Sequence, residues 1–318
     1  MRDRVCGNLP ASYCNNNEQA YCVFHFPSRH KKTDFQTQLN LRLDNGDGDF
    51  TGFYFPHDII ISAAKTSVEF SFMEATFSGN ITFMGEFLGA LDFRRSVIQK
   101  DARLKFYGAV LGGGVDFRDA VIQGSLLFVG NKWESFGTHE IIEQMNYVFE
   151  GSRAWLQFEN TIVEHPELIV FHTVRLEPSW FVNINCNNFT FIDCIWAYFN
   201  YNALTIDEEI DGIYMKNGIF FPPNAPALLT KILRQLSSNY ETNDEFEKAS
   251  YFRRMAMEVE WQCKKDSFYN WISNLDEESD KFKQFVQRQI AGMDDVIDGD
   301  SSEIPRPSIV TCSTTCWI

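Results

Sequence analysis

The segments Phe70-Ser-Phe-Met-Glu-Ala-Thr-Phe77, Leu91-Asp-Phe-Arg-Arg-Ser-Val-Ile98 and Val115-Asp-Phe-Arg-Asp-Ala-Val-Ile122 can be laid over one another. Their central phenylalanines belong to a longer series, because Phe72, Phe83, Phe93, Phe106, Phe117 and Phe128 follow at steps of 11, 10, 13, 11 and 11. A second apolar residue falls five positions after each of the first five: Phe77, Leu88, Ile98, Leu111 and Ile122. A small residue (Ala75, Ser96, Ala109 or Ala120) stands two before four of these second anchors. Anchors about five apart match neither the helical period nor the strand period. They fit a chain that turns after every four or five residues, so that a four-sided coil points one large side chain inward per side. A single coil cannot bury its own anchors, which is why the pattern repeats and the coils stack. The expected fold is therefore mainly β, a solenoid with phenylalanines along its axis, where ring pairs add about 0.5 to 1.5 kcal/mol beyond area burial. The competing architecture, a β-sandwich with Phe at alternate positions, lacks turn signals at strand-length spacing.

The composition carries the same signature: 30 Phe outnumber 11 Tyr and 7 Trp combined. The chain has 318 residues, 44% of them hydrophobic, and 28 Lys+Arg against 43 Asp+Glu give a net charge of −15. Such a chain is large enough to bury a core and too acidic for a general nucleic-acid binder. Its richest apolar region, Phe181 to Ile206, is interrupted by Asp193 and several Asn, so no spanning helix is expected. The start, Met-Arg-Asp-Arg and then a polar run through Asn17, offers no apolar core of a secretory signal, which predicts a cytoplasmic protein. Eight Cys are too sparse for a disulfide scaffold. Cys312 and Cys316 form no prenylation box, since Thr315 stands where that box needs Cys.

The stretch from about residue 50 to 200 resembles the pentapeptide-repeat proteins, in a looser, Phe-rich, roughly eleven-residue variant of their pattern. That resemblance implies a right-handed quadrilateral β-helix over 57–200. An insertion at 131–151, with Trp133, Phe136 and Tyr147, reads as a loop or short helix let out of one coil, with a helical turn around Glu140 to Tyr147. The repeat resumes at Leu156-Gln-Phe-Glu-Asn-Thr-Ile162 and returns at Phe189-Thr-Phe-Ile-Asp-Cys-Ile195, with Cys186 and Cys194 as small buried hydrophobes. Residues 201–226, with Asp207-Glu-Glu-Ile-Asp211 and Phe221-Pro-Pro-Asn-Ala-Pro226, read as a linker. Over 227–292 the spacing of Leu229, Ile232, Leu233, Leu236 and Tyr240, then of Phe246, Ala249, Phe252, Ala256 and Val259, predicts a helical hairpin and a following helix. This hairpin resembles the one that follows the coils in many pentapeptide-repeat proteins, and it can close the open end of the solenoid. Residues 293–318 read as a disordered acidic tail.

Residues 1–32 hold Cys6, Cys14, Cys22 and His25, spaced C-x7-C-x7-C-x2-H among Asn, Gly and Ser. Thiolates and imidazole are the ligands zinc prefers, and four protein ligands make a closed structural site rather than a hydrolytic one. A segment so poor in hydrophobes would gain order from the metal. Three free thiols and a surface histidine in a mobile leader is the alternative. Residues 33–56 then supply a capping helix, with Thr33 as its cap, Phe35, Leu39 and Leu43 on one face and Asn45-Gly46 at its end, followed by an entry strand.

No catalytic constellation emerges. His139-Glu140-Ile141-Ile142-Glu143 puts Glu143 where a zinc protease has its second histidine, and Gly112-Gly113-Gly114 is followed by repeat sequence, so it marks a tight corner rather than a phosphate loop. The expectation is a non-enzymatic scaffold or protein-protein interaction module, with no small-molecule substrate or nucleic acid and with an unnamed protein partner on the insertion. One alternative is peripheral contact with the inner face of the membrane through Phe268, Trp271, Ile272 and Leu275, opposed by residues 276–303, whose nine acids outweigh three bases. The other is an acidic DNA mimic that inhibits a topoisomerase, a role known among pentapeptide-repeat proteins.

Overall fold

The computed structural model describes residues 13–14, 20–136, 141–146, 148–149, 154–196, 210, 213 and 225–273. A two-residue hairpin, β1 (Tyr13–Cys14) with β2 (Ala20–Tyr21), leads into helix α1 (Lys32–Asp44). The coils follow in order. Strands β3 (Tyr54–Phe55) and β4 (Ile59–Thr66) belong to the first coil, and β5 (Phe70–Ser71), β6 (Thr76–Phe77) and β7 (Ile81–Phe87) to the second. The third has β8 (Leu91–Asp92), β9 (Val97–Ile98) and β10 (Arg103–Leu111), and the fourth β11 (Val115–Asp116), β12 (Val121–Ile122) and β13 (Ser125–Val129). A hairpin of β14 (Asn131–Phe136) and β15 (Ile141–Asn146) intervenes. Then come β16 (Leu156–Gln157), β17 (Ile162–Val163), β18 (Ile169–His172) and β19 (Arg175–Leu176), and finally β20 (Thr190–Ile192) and β21 (Ile195–Trp196).

The strands stack in parallel into a β-solenoid. One side is the sheet β16-β11-β8-β5, the next β17-β12-β9-β6-β3, and the third the six-stranded β20-β18-β13-β10-β7-β4. A fourth side is carried by Phe87 and Leu111, by the bridge from Leu111 to Phe149, and by the pairing of Leu176 with Trp196. The turn from the first side to the second recurs in every coil. Ala75, Ser96, Ala120 and Thr161 each donate their N–H to the carbonyl three residues back, on Phe72, Phe93, Phe117 and Phe158. The third residue of each turn, Glu74, Arg95, Asp119 or Asn160, has φ between 56° and 59°. That left-handed conformation is uncommon without glycine, and it is held because the turns stack. Glu74 N–H donates to Arg94 O at 2.9 Å, and Arg95 N–H to Arg118 O at 3.0 Å. Ala75, Ser96 and Ala120 are buried because they close these turns against the core.

Phenylalanine forms two columns, so the eleven-residue step is half a coil. Phe50, Phe72, Phe93, Phe117 and Phe158 stack at 5.2, 4.8, 4.9 and 5.5 Å between successive ring centroids. Phe83, Phe106, Phe128, Phe171 and Phe191 stack at 5.0, 4.7, 5.1 and 5.5 Å. The columns meet edge to face, as in Phe72 on Phe83 at 88° and Phe93 on Phe106 at 87°, the arrangement that ring quadrupoles favour.

Three local expectations are corrected. The anchor after Phe83 is the buried Phe87 rather than half-buried Leu88, because β10 carries one more residue than β7 between Phe106 and Ala109, where the register shifts. The insertion is a β-hairpin: residues 141–146, expected to contain a helical turn, pair antiparallel with 131–136. The first helix begins earlier, with Lys31 at its N-cap position and no side-chain cap, so Thr33 lies inside it. Its Phe35 and Leu39 are buried, and Gly46 ends it at φ +69°.

Two units divide the chain, Met1–Trp261 and Gln262–Ile318. In the first, helices α2 (Ala225–Thr242) and α3 (Phe246–Ser273, up to Trp261) cover the last coil. Buried Asn239 donates its side-chain amide to the carbonyls of Cys186, Asn187 and Phe189 at 3.0, 2.7 and 2.8 Å. Trp196 donates its indole N–H to Tyr240 Oη at 2.7 Å, and Tyr240 stacks on Phe252 at 5.7 Å. Among the described residues no helix is long and apolar enough to cross a membrane. Leu275 and the side chains of Phe268, Trp271 and Ile272 lie outside the described residues.

Candidate functional site

The N-terminal site is built on a turn. His25 and Phe26 both donate backbone N–H to Cys22 O at 3.2 Å, which folds the Cys22-x-x-His25 step back on itself. Phe24 locks the turn onto the first coil by stacking on Phe53 at 4.3 Å and 9°. Cys22 Sγ then lies 3.1 Å from His25 Nδ1, while His25 Nε2 lies 3.2 Å from Thr51 O. A carbonyl oxygen only accepts, so Nε2 donates to Thr51 O and Nδ1 is the nitrogen that faces the thiol. A histidine whose outer nitrogen is held by a backbone carbonyl is the arrangement that orients an imidazole metal ligand. The pair therefore fits two ligands of a zinc site.

Cys6 lies outside the described residues, as does the side chain of Cys14; the Cys14 backbone sits in β1 opposite Ala20 of β2, two residues before Cys22. Among the described residues no group of three or more His, Cys, Asp or Glu could hold a metal. Of the four expected residues the fold brings Cys22 and His25 together, and nothing described brings Cys6 or Cys14 to them.

Beside this turn is a residue the sequence reading did not single out. Lys31 is buried, donates Nζ to Phe24 O at 3.1 Å and lies over the rings of Phe35 and Tyr54 at 5.1 and 5.2 Å. Burial lowers its pKa from 10.5 to about 7, opposed by the nearby Cys22. Its only advance signal was its place directly before a helix with no acidic or hydroxyl cap at that position.

The remaining described sites are structural. Burial pushes the thiols of Cys186 and Cys194 up to about 12, which leaves them inert and agrees with small core residues. Glu143 lies on β15 opposite Glu134, a strand rather than the helix that a zinc protease motif requires, and His139 lies outside the described residues. Gly113 sits at a corner where an added Cβ would come 2.3 Å from the Gly89 carbonyl carbon.

On the outside of the first side, a cavity of about 580 Å³ is lined by Asp92, Arg94, Asp116, Arg118 and Trp155 among others. Arg94 grips Asp92 with contacts of 2.9, 3.0 and 2.6 Å, and Arg118 grips Asp116 in the same way at 3.1, 3.0 and 2.7 Å. The same carboxylates accept the backbone N–H two residues on. Hydrogen bonding to these carboxylates raises the pKa of both arginines, so the groups stay charged and mutually paired. Such a ladder offers no free acid or base. Its signal was present in the overlaid Asp-Phe-Arg triplets.

No family model, curated protein or solved structure matches the chain.

Proposed function

We propose that the protein is a non-enzymatic interaction scaffold of the pentapeptide-repeat kind, with the 131–146 hairpin as its contact element for a protein partner. The observation that carries this reading is where the hairpin leaves the solenoid. Strands β14 and β15 pair with each other alone, while on either side the core continues through Phe128 and Phe149, both buried and 5.5 Å apart. The fold therefore does not need the hairpin, and an element a fold does not need is free to serve binding. Replacing residues 131–147 with a short Gly/Ser linker should leave the melting temperature within a few degrees. It should also remove the neighbours that proximity labelling finds around the intact chain in its host. An unchanged set of neighbours would count against the hairpin.

We further propose that Cys22 and His25, with Cys6 and Cys14, hold a structural zinc that orders the N-terminal segment. The approach of His25 Nδ1 to the Cys22 thiol, at 3.1 Å, supports this. Elemental analysis of the purified full chain after mild dialysis tests it, and a content well below one zinc per chain overturns it.

A further inference from the structure

The row of residues that enters the first side of the solenoid is interrupted. Phe70, Leu91 and Val115 donate their backbone N–H to the carbonyls of Ala90, Gly114 and Trp155 at 2.9, 3.0 and 2.8 Å. Glu69, Ala90, Gly114 and Trp155, each directly before a strand of the β16-β11-β8-β5 sheet, therefore stack on successive coils. Large residues stand at the two ends of this row and small ones between them. Trp155 leans into the break, because a Cβ added at Gly114 would come 2.4 Å from its Nε1. What remains is a notch over Ala90, with the indole on one side and Glu69 on the other. Both residues line the cavity of about 580 Å³ and also a second of about 430 Å³ that shares Ala90 with it. Coils lie about 4.8 Å apart, so from the position of Gly114 to that of Glu69 the notch measures about 10 Å.

Neither wall is used by the fold. Among the described residues the exposed Glu69 carboxylate has no hydrogen-bond or ion-pair partner, and the half-buried Trp155 indole has neither a ring contact nor an acceptor for its N–H. The neighbouring charges are engaged: Asp92 and Asp116 by Arg94 and Arg118, and Asp47 by Arg42 at 2.7 Å. Five carboxylates line the larger cavity against two guanidinium groups, so the notch favours a cation. We propose that it binds an arginine side chain from an exposed segment of a protein partner, with the guanidinium stacked on Trp155 and hydrogen-bonded to Glu69. An indole face attracts a cation within about 6 Å of its centroid, and a planar guanidinium stacks there while its edge donates to a carboxylate. A gap of about 10 Å holds both contacts at once. A neutral sugar ring would stack on the indole but leave the Glu69 charge unanswered, and the acidic lining opposes nucleic acid. The notch uses no residue of the 131–146 hairpin, so its occupancy is tested apart from that element.

Titration of N-acetyl-arginine amide into the full chain, followed by the tryptophan indole N–H resonances, tests this. The Trp155 resonance is the one lost in Trp155→Phe, and it should shift and saturate with the millimolar dissociation constant expected of a single side chain. Glu69→Gln should weaken binding about fivefold while leaving the melting temperature within a few degrees, since the exposed carboxylate serves no contact of the fold. N-acetyl-citrulline amide, which has nearly the same shape without the charge, should leave the Trp155 resonance in place. The absence of a saturable shift, an affinity that Glu69→Gln does not change, or equal binding of the citrulline compound or of glucose overturns the proposal.

Discussion

Replacing Phe93 with Leu tests whether stacked rings, rather than apolar volume alone, hold the coils together. Phe93 is fully buried, stacks on Phe72 at 4.8 Å and Phe117 at 4.9 Å, and meets Phe83 and Phe106 edge to face. Leucine keeps most of the apolar area, and a shape change of that kind costs under about 1.5 kcal/mol. Two stacked pairs at about 0.5 to 1.5 kcal/mol each bring the expected loss to about 1 to 4.5 kcal/mol, against about 3 to 5 for Phe93→Ala. Urea unfolding followed by circular dichroism, with slopes compared between variants, measures both. The sharper readout is coupling. Phe93→Leu with Phe117→Leu should be non-additive by about 0.5 to 1.5 kcal/mol, because the two rings share a stack. Phe93→Leu with Phe191→Leu should be additive, since Phe191 stacks on Phe171 at the far end of the other column and shares no ring partner with Phe93. Equal coupling in both pairs, or a loss for Phe93→Leu under about 0.5 kcal/mol, would refute the reasoning that column stacking contributes beyond area.

Asn239→Leu should cost about 2 to 4 kcal/mol by the same assay, because the carbonyls of Cys186, Asn187 and Phe189 would lose a buried donor; a neutral result would mean that water replaces it. Gly89→Ala should destabilise by more than about 2 kcal/mol, since its Cβ would stand 2.2 Å from Val68 O in the neighbouring coil. Gly46→Ala, with nothing within 4 Å but φ at +69°, should cost only about 1 kcal/mol, and a reversed order would contradict the corner packing. For Lys31, the unfolded chain keeps its proton up to 10.5 whereas the folded chain releases it at about 7. The Lys31 contribution to stability should therefore rise with pH between those values and be level below about 7. Lys31→Met should remove that rise, and parallel pH profiles for the two proteins would show that Lys31 is not its source.

Repetition made the solenoid legible. A spacing of about five cannot be satisfied by one strand or helix, and that single contradiction led to the four-sided coil. The same spacing hid which anchors share a side, because two half-coils of similar length look like one repeat until the strands are paired. That is why Phe83 and Phe93 read as neighbours in one series and turn out to stand at right angles in different columns. The bulge at Ala109 left only a faint trace: the extra residue in β10 makes the step from Phe106 to Phe117 eleven where the matching step from Phe83 to Phe93 is ten. Residues 141–146 were misread because Glu and Gln favour helix, whereas pairing with 131–136 decides their state. At the N-terminal turn, chelate spacing announced Cys22 and His25. The sequence announced Lys31 only by its place before an uncapped helix, because burial of a lysine is set by what folds over it.

The net charge of −15 meets a different fate once the coils are in place. Asp49, Asp92 and Asp116 stand on one side of the solenoid, where each accepts the backbone N–H two residues ahead and so fixes the approach to its turn. For two of the three, the negative charge is also matched by an arginine in the adjoining turn, Arg94 or Arg118, and Arg94 reaches toward Asp116 of the next coil at 3.8 Å. An acid used this way serves the backbone first, and its charge is largely cancelled within the row. A mimic of nucleic acid needs the reverse, rows of carboxylates that project unpaired and add their fields. This side thus weighs against mimicry. It also means that Arg94→Ala or Arg118→Ala would alter the surface potential of this side more than a change of overall charge elsewhere in the sequence, because each exposes a carboxylate that the turn holds in place.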